Sequence, residues 1–149
     1  MSATANRTGL YLVKEVTYGT TPATPAFEPL RITSEDVNYS ATNAKSKELR
    51  SDRNSGGTVR TDASVTGGFD AELSSLSFDT AIAAFLASTF SAPVANLSTI
   101  KNGIVNSSFS IQKRIQDATS PFFQTFTGCR FTTWELDIKP GDFIKSKFG

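Results

Sequence analysis

The chain has 149 residues, with 15 Lys plus Arg against 14 Asp plus Glu, no histidine and a single cysteine, Cys129. The length suits one domain able to bury roughly 68–70% of its unfolded surface. Without histidine there is no Ser-His-Asp or Cys-His triad and no His-containing zinc site, and one cysteine allows neither an intrachain disulfide nor a multi-cysteine metal centre. A net charge of +1 supplies no basic field of the kind that coats nucleic acid.

Ser and Thr together number 37, and 12 Phe outnumber Tyr and Trp combined, a bias toward pleated, half-buried surfaces. The first ten residues hold no apolar signal-peptide core, and no uncharged apolar run approaches the ~20 residues that span a bilayer. These features predict a soluble protein of a reducing compartment with no membrane insertion.

In chain order, Leu10, Leu12, Val16 and Tyr18 alternate with Tyr11, Val13, Glu15 and Thr17, which predicts a strand over 10–18 covered on both faces. Gly19 ends it, and Pro22 and Pro25 predict an irregular arm. Leu30, Ile32, Val37 and Tyr39 resume a strand pattern, with a bulge or turn at 34–36. Residues 41–62 form the most polar stretch. They hold Lys45, Lys47, Arg50, Arg53 and Arg60 among Glu48, Asp52 and Asp62, with Leu49 and Val59 as rare apolar residues. Such a segment buries too little to offset the entropy of ordering it, so a long loop is predicted, solvated or ordered against a partner.

Val65, Gly67, Phe69, Ala71 and Leu73 then alternate with Thr66, Gly68, Asp70 and Glu72, a strand whose Gly67-Gly68 pair marks a bend or a close approach. Ser77 is the expected cap of a helix over about 77–88, whose Phe78, Ala81, Ile82, Phe85 and Leu86 make one apolar stripe facing a sheet. Further strands follow. Phe109, Ile111 and Ile115 alternate with Ser108, Ser110, Gln112 and Arg114; Phe122 to Phe131 follows with a bulge at Gly128; Trp134, Leu136 and Ile138 oppose Glu135 and Asp137; and a turn at Pro140-Gly141 leads into Phe143 to Phe148. The chain stops in mid-strand, which predicts an edge awaiting partners that this chain lacks.

The fold class is therefore mainly β: a β-sandwich or rolled antiparallel sheet with one flanking amphipathic helix and a long polar loop, in a single domain. Paired carboxylates, Asp70 with Glu72 and Glu135 with Asp137, are the catalytic constellation that composition permits. No aromatic of the same parity offers a sugar platform beside them. No phosphate loop, dinucleotide fingerprint or calcium loop occurs, so no enzyme activity, cofactor or metal is expected.

Several strings resemble the phage tail tube family, the major tail proteins of long-tailed bacteriophages: residues 14–26 (KEVTYGTTPATPA), 48–53 (ELRSDR), 59–69 (VRTDASVTGGF), 126–130 (FTGCR) and 138–141 (IKPG). They occur in family order over nearly the whole chain. The resemblance implies a structural virion protein, siphovirus-type, whose copies form stacked, usually hexameric rings, with inner strands joined into one barrel that conducts DNA. Its implied partners are itself, a tape-measure protein, tail-tip and terminator proteins, and phage DNA passing non-specifically, with assembly in the host bacterial cytoplasm. The long loop, with Lys45, Lys47, Leu49, Arg50, Asp52, Arg53 and Arg60, is then expected to reach a neighbouring subunit, and Asp70, Glu72, Glu135 and Asp137 to line a phosphate-repelling lumen. Family members commonly continue beyond the equivalent of Gly149, so the chain reads as a short member or as a piece without its final strands. The alternatives are a monomeric β-sandwich binding module, adhesin or carbohydrate-binding, and a tube subunit of a contractile tail or secretion needle.

Overall fold

The computed structural model describes residues 8–47, 57–116 and 120–149. Its elements in chain order are β1 (Thr8–Lys14), β2 (Glu28–Leu30), β3 (Ser34–Glu35), β4 (Asn38–Lys45), β5 (Thr58–Thr66), β6 (Phe69–Glu72), α1 (Asp79–Phe85), β7 (Phe109–Gln116), β8 (Pro121–Cys129), β9 (Trp134–Asp137) and β10 (Lys145–Phe148). Strands β2-β1-β7-β8 form one antiparallel sheet, β3-β6-β10-β9 a second, and β4 and β5 a separate two-stranded ribbon.

The two four-stranded sheets form a β-sandwich closed by one apolar core. Leu10, Leu12, Phe109, Ile111 and Phe126 come from the first sheet, Phe69, Ala71 and Phe148 from the second, and Phe78 and Ala81 from the helix region. Phenylalanine dominates the centre. Phe69 stacks on Phe148 with ring centroids 5.1 Å apart, Phe78 stacks on Phe148 at 5.8 Å, and Phe131 meets Phe109 at 5.5 Å and Phe148 at 5.9 Å. Rings at these separations gain about 0.5–1.5 kcal/mol beyond the area they bury.

Five expectations from the sequence are corrected. The strand of 10–18 ends at Lys14, and Val16 and Tyr18 lie exposed rather than in the core. Glu15 is the reason: its buried carboxylate takes the Gly19 amide and folds the chain back.

The polar loop of 41–62 is, at both of its described ends, strand: Ala41–Lys45 continue β4 and Thr58–Asp62 begin β5, in antiparallel register with a shift at Thr42/Asn43. Hydrogen bonding along a hairpin needs no apolar face, which is why hydropathy missed it. Leu49, Arg50, Asp52 and Arg53 lie outside the described residues.

The single strand expected over 65–73 is broken between β5 and β6. Gly67 has φ +128°, and Gly68 lies so close to the Phe148 carbonyl that a Cβ there would overlap it.

The helix expected over about 77–88 spans Asp79–Phe85, entered through Phe78 with no side-chain cap. Ser77 does not cap it, because its hydroxyl accepts from Ser74 Oγ at 2.8 Å. Ala87 at φ 49° ends the helix, its amide bonded to the Ala84 carbonyl.

Finally, the last strand does not present an unfinished edge. β10 is paired on one side with β6 and on the other with β9, and Phe148 is fully buried.

Candidate functional site: a charged sheet face and an exposed ribbon

Antiparallel register decides what the second sheet shows to solvent. Side chains directly opposite one another project from the same face, with Cβ atoms about 4.5–5.5 Å apart. In β10, Lys145 is opposite Glu72 of β6 and Asp137 of β9, and Lys147 is opposite Asp70 of β6 and Glu135 of β9. The alternate residues Phe69, Ala71, Ser146 and Phe148 turn inward to the core. All four acids picked out by sequence alternation therefore share one face, gathered around a central strand that contributes two lysines. Four carboxylates against two ammonium groups leave the face at −2.

This face is a shallow concavity of about 590 Å³ lined by Asp70, Glu72, Glu135, Asp137, Lys145 and Lys147, with Thr33 at its rim. The Ser34 hydroxyl donates to Asp70 Oδ2 at 2.6 Å. Lys139 Nζ reaches Asp137 Oδ2 at 2.7 Å and Lys145 Nζ reaches Asp142 Oδ2 at 2.9 Å. The hydrogen bond from Lys145 holds the Asp142 carboxyl below its usual range, helped by the Phe143 amide. Lys145 is in turn pushed up by that hydrogen bond and charge, with Asp137 and Glu72 adding to it. Solvent screens these contacts, so they orient the face more than they stabilise it.

The ribbon is the second feature. Every residue of β4 and of β5 is exposed, and among the described residues neither strand pairs outside the ribbon. Arg60 donates to the Tyr39 hydroxyl at 2.9 Å along its surface, while Lys45 ends β4 and Lys47 follows it, both exposed. Isolated two-stranded ribbons are marginal in water and carry unpaired ladder groups on both outer edges. A family model described as phage tail tube protein matches residues 5–149. The chain belongs to the phage tail tube protein family. It is accordingly a structural component of the virion tail, of a family whose members self-associate into a tube. A search of curated proteins returned no matching sequence.

The helix residues expected to pack on a sheet are distributed as follows in this tail tube protein. Phe78 is buried against Phe69 and Phe148, Ile82 packs on the core cluster, Phe85 meets Trp134 edge-on at 5.9 Å, and Leu86 is half-buried past the last helical turn. Among the described residues no helix is long and apolar enough to cross a membrane, and no group of three or more acidic or thiol side chains is disposed to hold a metal ion.

Sequence reasoning missed two polar arrangements. Glu15 is buried between the sheet and the following turn, where its carboxylate accepts from the amides of Gly19 and Gly128 and the Ser110 hydroxyl, each at 2.8 Å. Burial raises its pKa, but the Gly128 amide, the Ser108 and Ser110 hydroxyls and the Gly19 amide outweigh that and leave it lowered. The signal was present: Ser108 and Ser110 alternate with core residues on a strand that has no reason to be polar unless it meets a charge. The other arrangement is Lys113 with Glu35, at 2.7 Å across the two sheets.

Proposed function

We propose that the chain, acting as one tail-tube domain, assembles into stacked rings, hexameric as the family resemblance implies, that form the tube through which phage DNA passes into the host. The observation that carries this is the ribbon, 17 exposed strand residues in a pair with no third strand among the described residues. A subunit meant to stay alone would leave two long edges open to uncontrolled pairing. A subunit meant to repeat covers them with copies of itself.

In this proposal the ribbon and the chain segment between its two strands, with Lys45, Lys47, Leu49, Arg50, Asp52, Arg53 and Arg60, dock on a neighbouring copy. The face bearing Asp70, Glu72, Glu135 and Asp137 lines the bore. A wall with net negative charge repels the DNA backbone, so the duplex slides without the counterion-release attraction that free basic side chains would add. Tape-measure, tail-tip and terminator proteins are the further partners, assembly takes place in the host bacterial cytoplasm, and the tail is of the flexible, siphovirus type. No catalytic step is involved.

Electron microscopy of concentrated protein tests the assembly. Rings and tubes are expected. Monodisperse particles of single-subunit size at every concentration would instead indicate a monomeric binding module.

A further inference from the structure

We propose that the exposed face of β6, β10 and β9 is made inert to phosphate by internal neutralisation of its lysines rather than by uniform negative charge. For its biological use this rests on the bore-lining assignment above. The surface property itself belongs to the single subunit.

The geometry is specific. Lys145 and Lys147 lie on the central strand, so each has a carboxylate-bearing strand on both sides, at the directly opposite position. Lys147 stands between Asp70 and Glu135, and Lys145 between Glu72 and Asp137, with Asp142 in contact at 2.9 Å. A phosphate approaching either ammonium group meets the field of carboxylates carried at the opposite positions of both flanking strands. That field repels it, and does so more strongly near a protein surface than in bulk water. With carboxylates so placed, neither lysine offers a net positive point at which phosphate contact would displace the cations condensed on DNA.

The arrangement also supplies what an all-acidic sheet could not. Carboxylates on adjacent strands without an intervening cation destabilise the pairing, whereas opposite charges directly across a ladder favour it. The two lysines thus let three strands carry four acids while the face keeps its net charge of −2.

The test compares two doubly neutralised proteins of equal net charge by the salt concentration at which each leaves a heparin column, heparin serving as the polyanion probe. Asp70→Asn with Glu135→Gln unmasks Lys147; Glu28→Gln with Asp62→Asn removes two carboxylates elsewhere on the surface. The first variant is expected to elute at clearly higher salt than the second and than the parent protein. Adding Lys147→Ala to the first is expected to abolish that difference beyond the one-charge change seen when Lys147→Ala is made alone. Equal retention of the two double variants means that net charge alone acts, and failure of Lys147→Ala to reverse the gain means that Lys147 was never masked; either overturns the proposal. Circular dichroism of each variant confirms folding. Finding this face on the outer wall of an assembled tube would refute the lining assignment while leaving the heparin result intact, so the two failures are distinguishable.

Discussion

Lys113 Nζ lies 2.7 Å from Glu35 Oε1, joining β7 of one sheet to β3 of the other, with side-chain exposures of 17% and 13%. Glu35 also accepts the Val37 amide at 3.2 Å, so one carboxylate fixes both the approach of the sheets and the turn into the ribbon. An ion pair this enclosed gains little over a matched apolar pair, but breaking it leaves a charge without its partner. Lys113→Ala is expected to lower stability by about 1–3 kcal/mol in urea unfolding. Lys113→Met with Glu35→Leu should cost clearly less than Lys113→Ala alone, and a double-mutant cycle measures the coupling.

Glu15 gives the protein an acid limit with a definite sign. Its carboxyl titrates below the ordinary value of 4.5 in the folded state because the amides and hydroxyls around it favour the anion. The contribution is fully present above about pH 4.5 and is lost as pH falls through the lowered folded value. Glu15→Gln is expected to flatten the loss of stability as pH falls below about 4.5. At neutral pH it should cost about 1–3 kcal/mol, because the amide cannot accept at both positions.

Cys129 sits beside this cluster. Burial pushes its thiol up, and the Glu15 charge pushes it further. Disulfide exchange with an aromatic reagent at pH 8 is expected to be slow compared with a free thiol. Glu15→Gln should accelerate it modestly by removing the neighbouring charge.

Gly68 and Gly141 separate close approach from backbone conformation. Gly68 has no room for a Cβ because the Phe148 carbonyl occupies the place, whereas Gly141 has φ +82° and nothing within 4 Å of the added carbon. Gly141→Ala is expected to cost about 1 kcal/mol for the left-handed conformation alone. Gly68→Ala should cost at least about 1–3 kcal/mol, since two strands must move apart. Thermal unfolding of the pair measures the difference.

The ribbon makes a kinetic prediction. Amides of Asn38–Lys45 and Thr58–Thr66 should exchange quickly in the isolated subunit, where only their mutual bonds protect them. In assembled tubes they should be strongly protected. Equal exchange in both states would remove the ribbon from the subunit interface.

What the sequence made legible follows where physics is local. Period-two alternation located β6, β7, β9 and β10 and placed Asp70, Glu72, Glu135 and Asp137 on outward parities, because a strand with one buried face writes that face into every second residue. The Gly67-Gly68 pair was legible as a bend or close approach because a residue without a Cβ admits another backbone, even though the alternation ran on through it. The ribbon was not, since both of its faces are solvated and its hydrogen bonds leave no mark on hydropathy. The lysines of β10 alternated in plain view, yet nothing in the chain order says that β10 lies between β6 and β9. That adjacency joins residues about 75 apart in sequence and determines whether the acidic face is bare or internally neutralised. The helix was overextended because its apolar stripe runs on to Leu86, one residue past the last helical residue Phe85, before φ 49° at Ala87 turns the chain away.

The central claim is that this tail tube protein repeats around a bore walled by the β6, β10 and β9 face. High-resolution electron cryomicroscopy of the assembled tube tests it most directly. Asp70, Glu72, Glu135 and Asp137 are expected on the inner wall, with Lys145 and Lys147 between them and the ribbon against a neighbouring subunit. The same four side chains on the outer wall would contradict it.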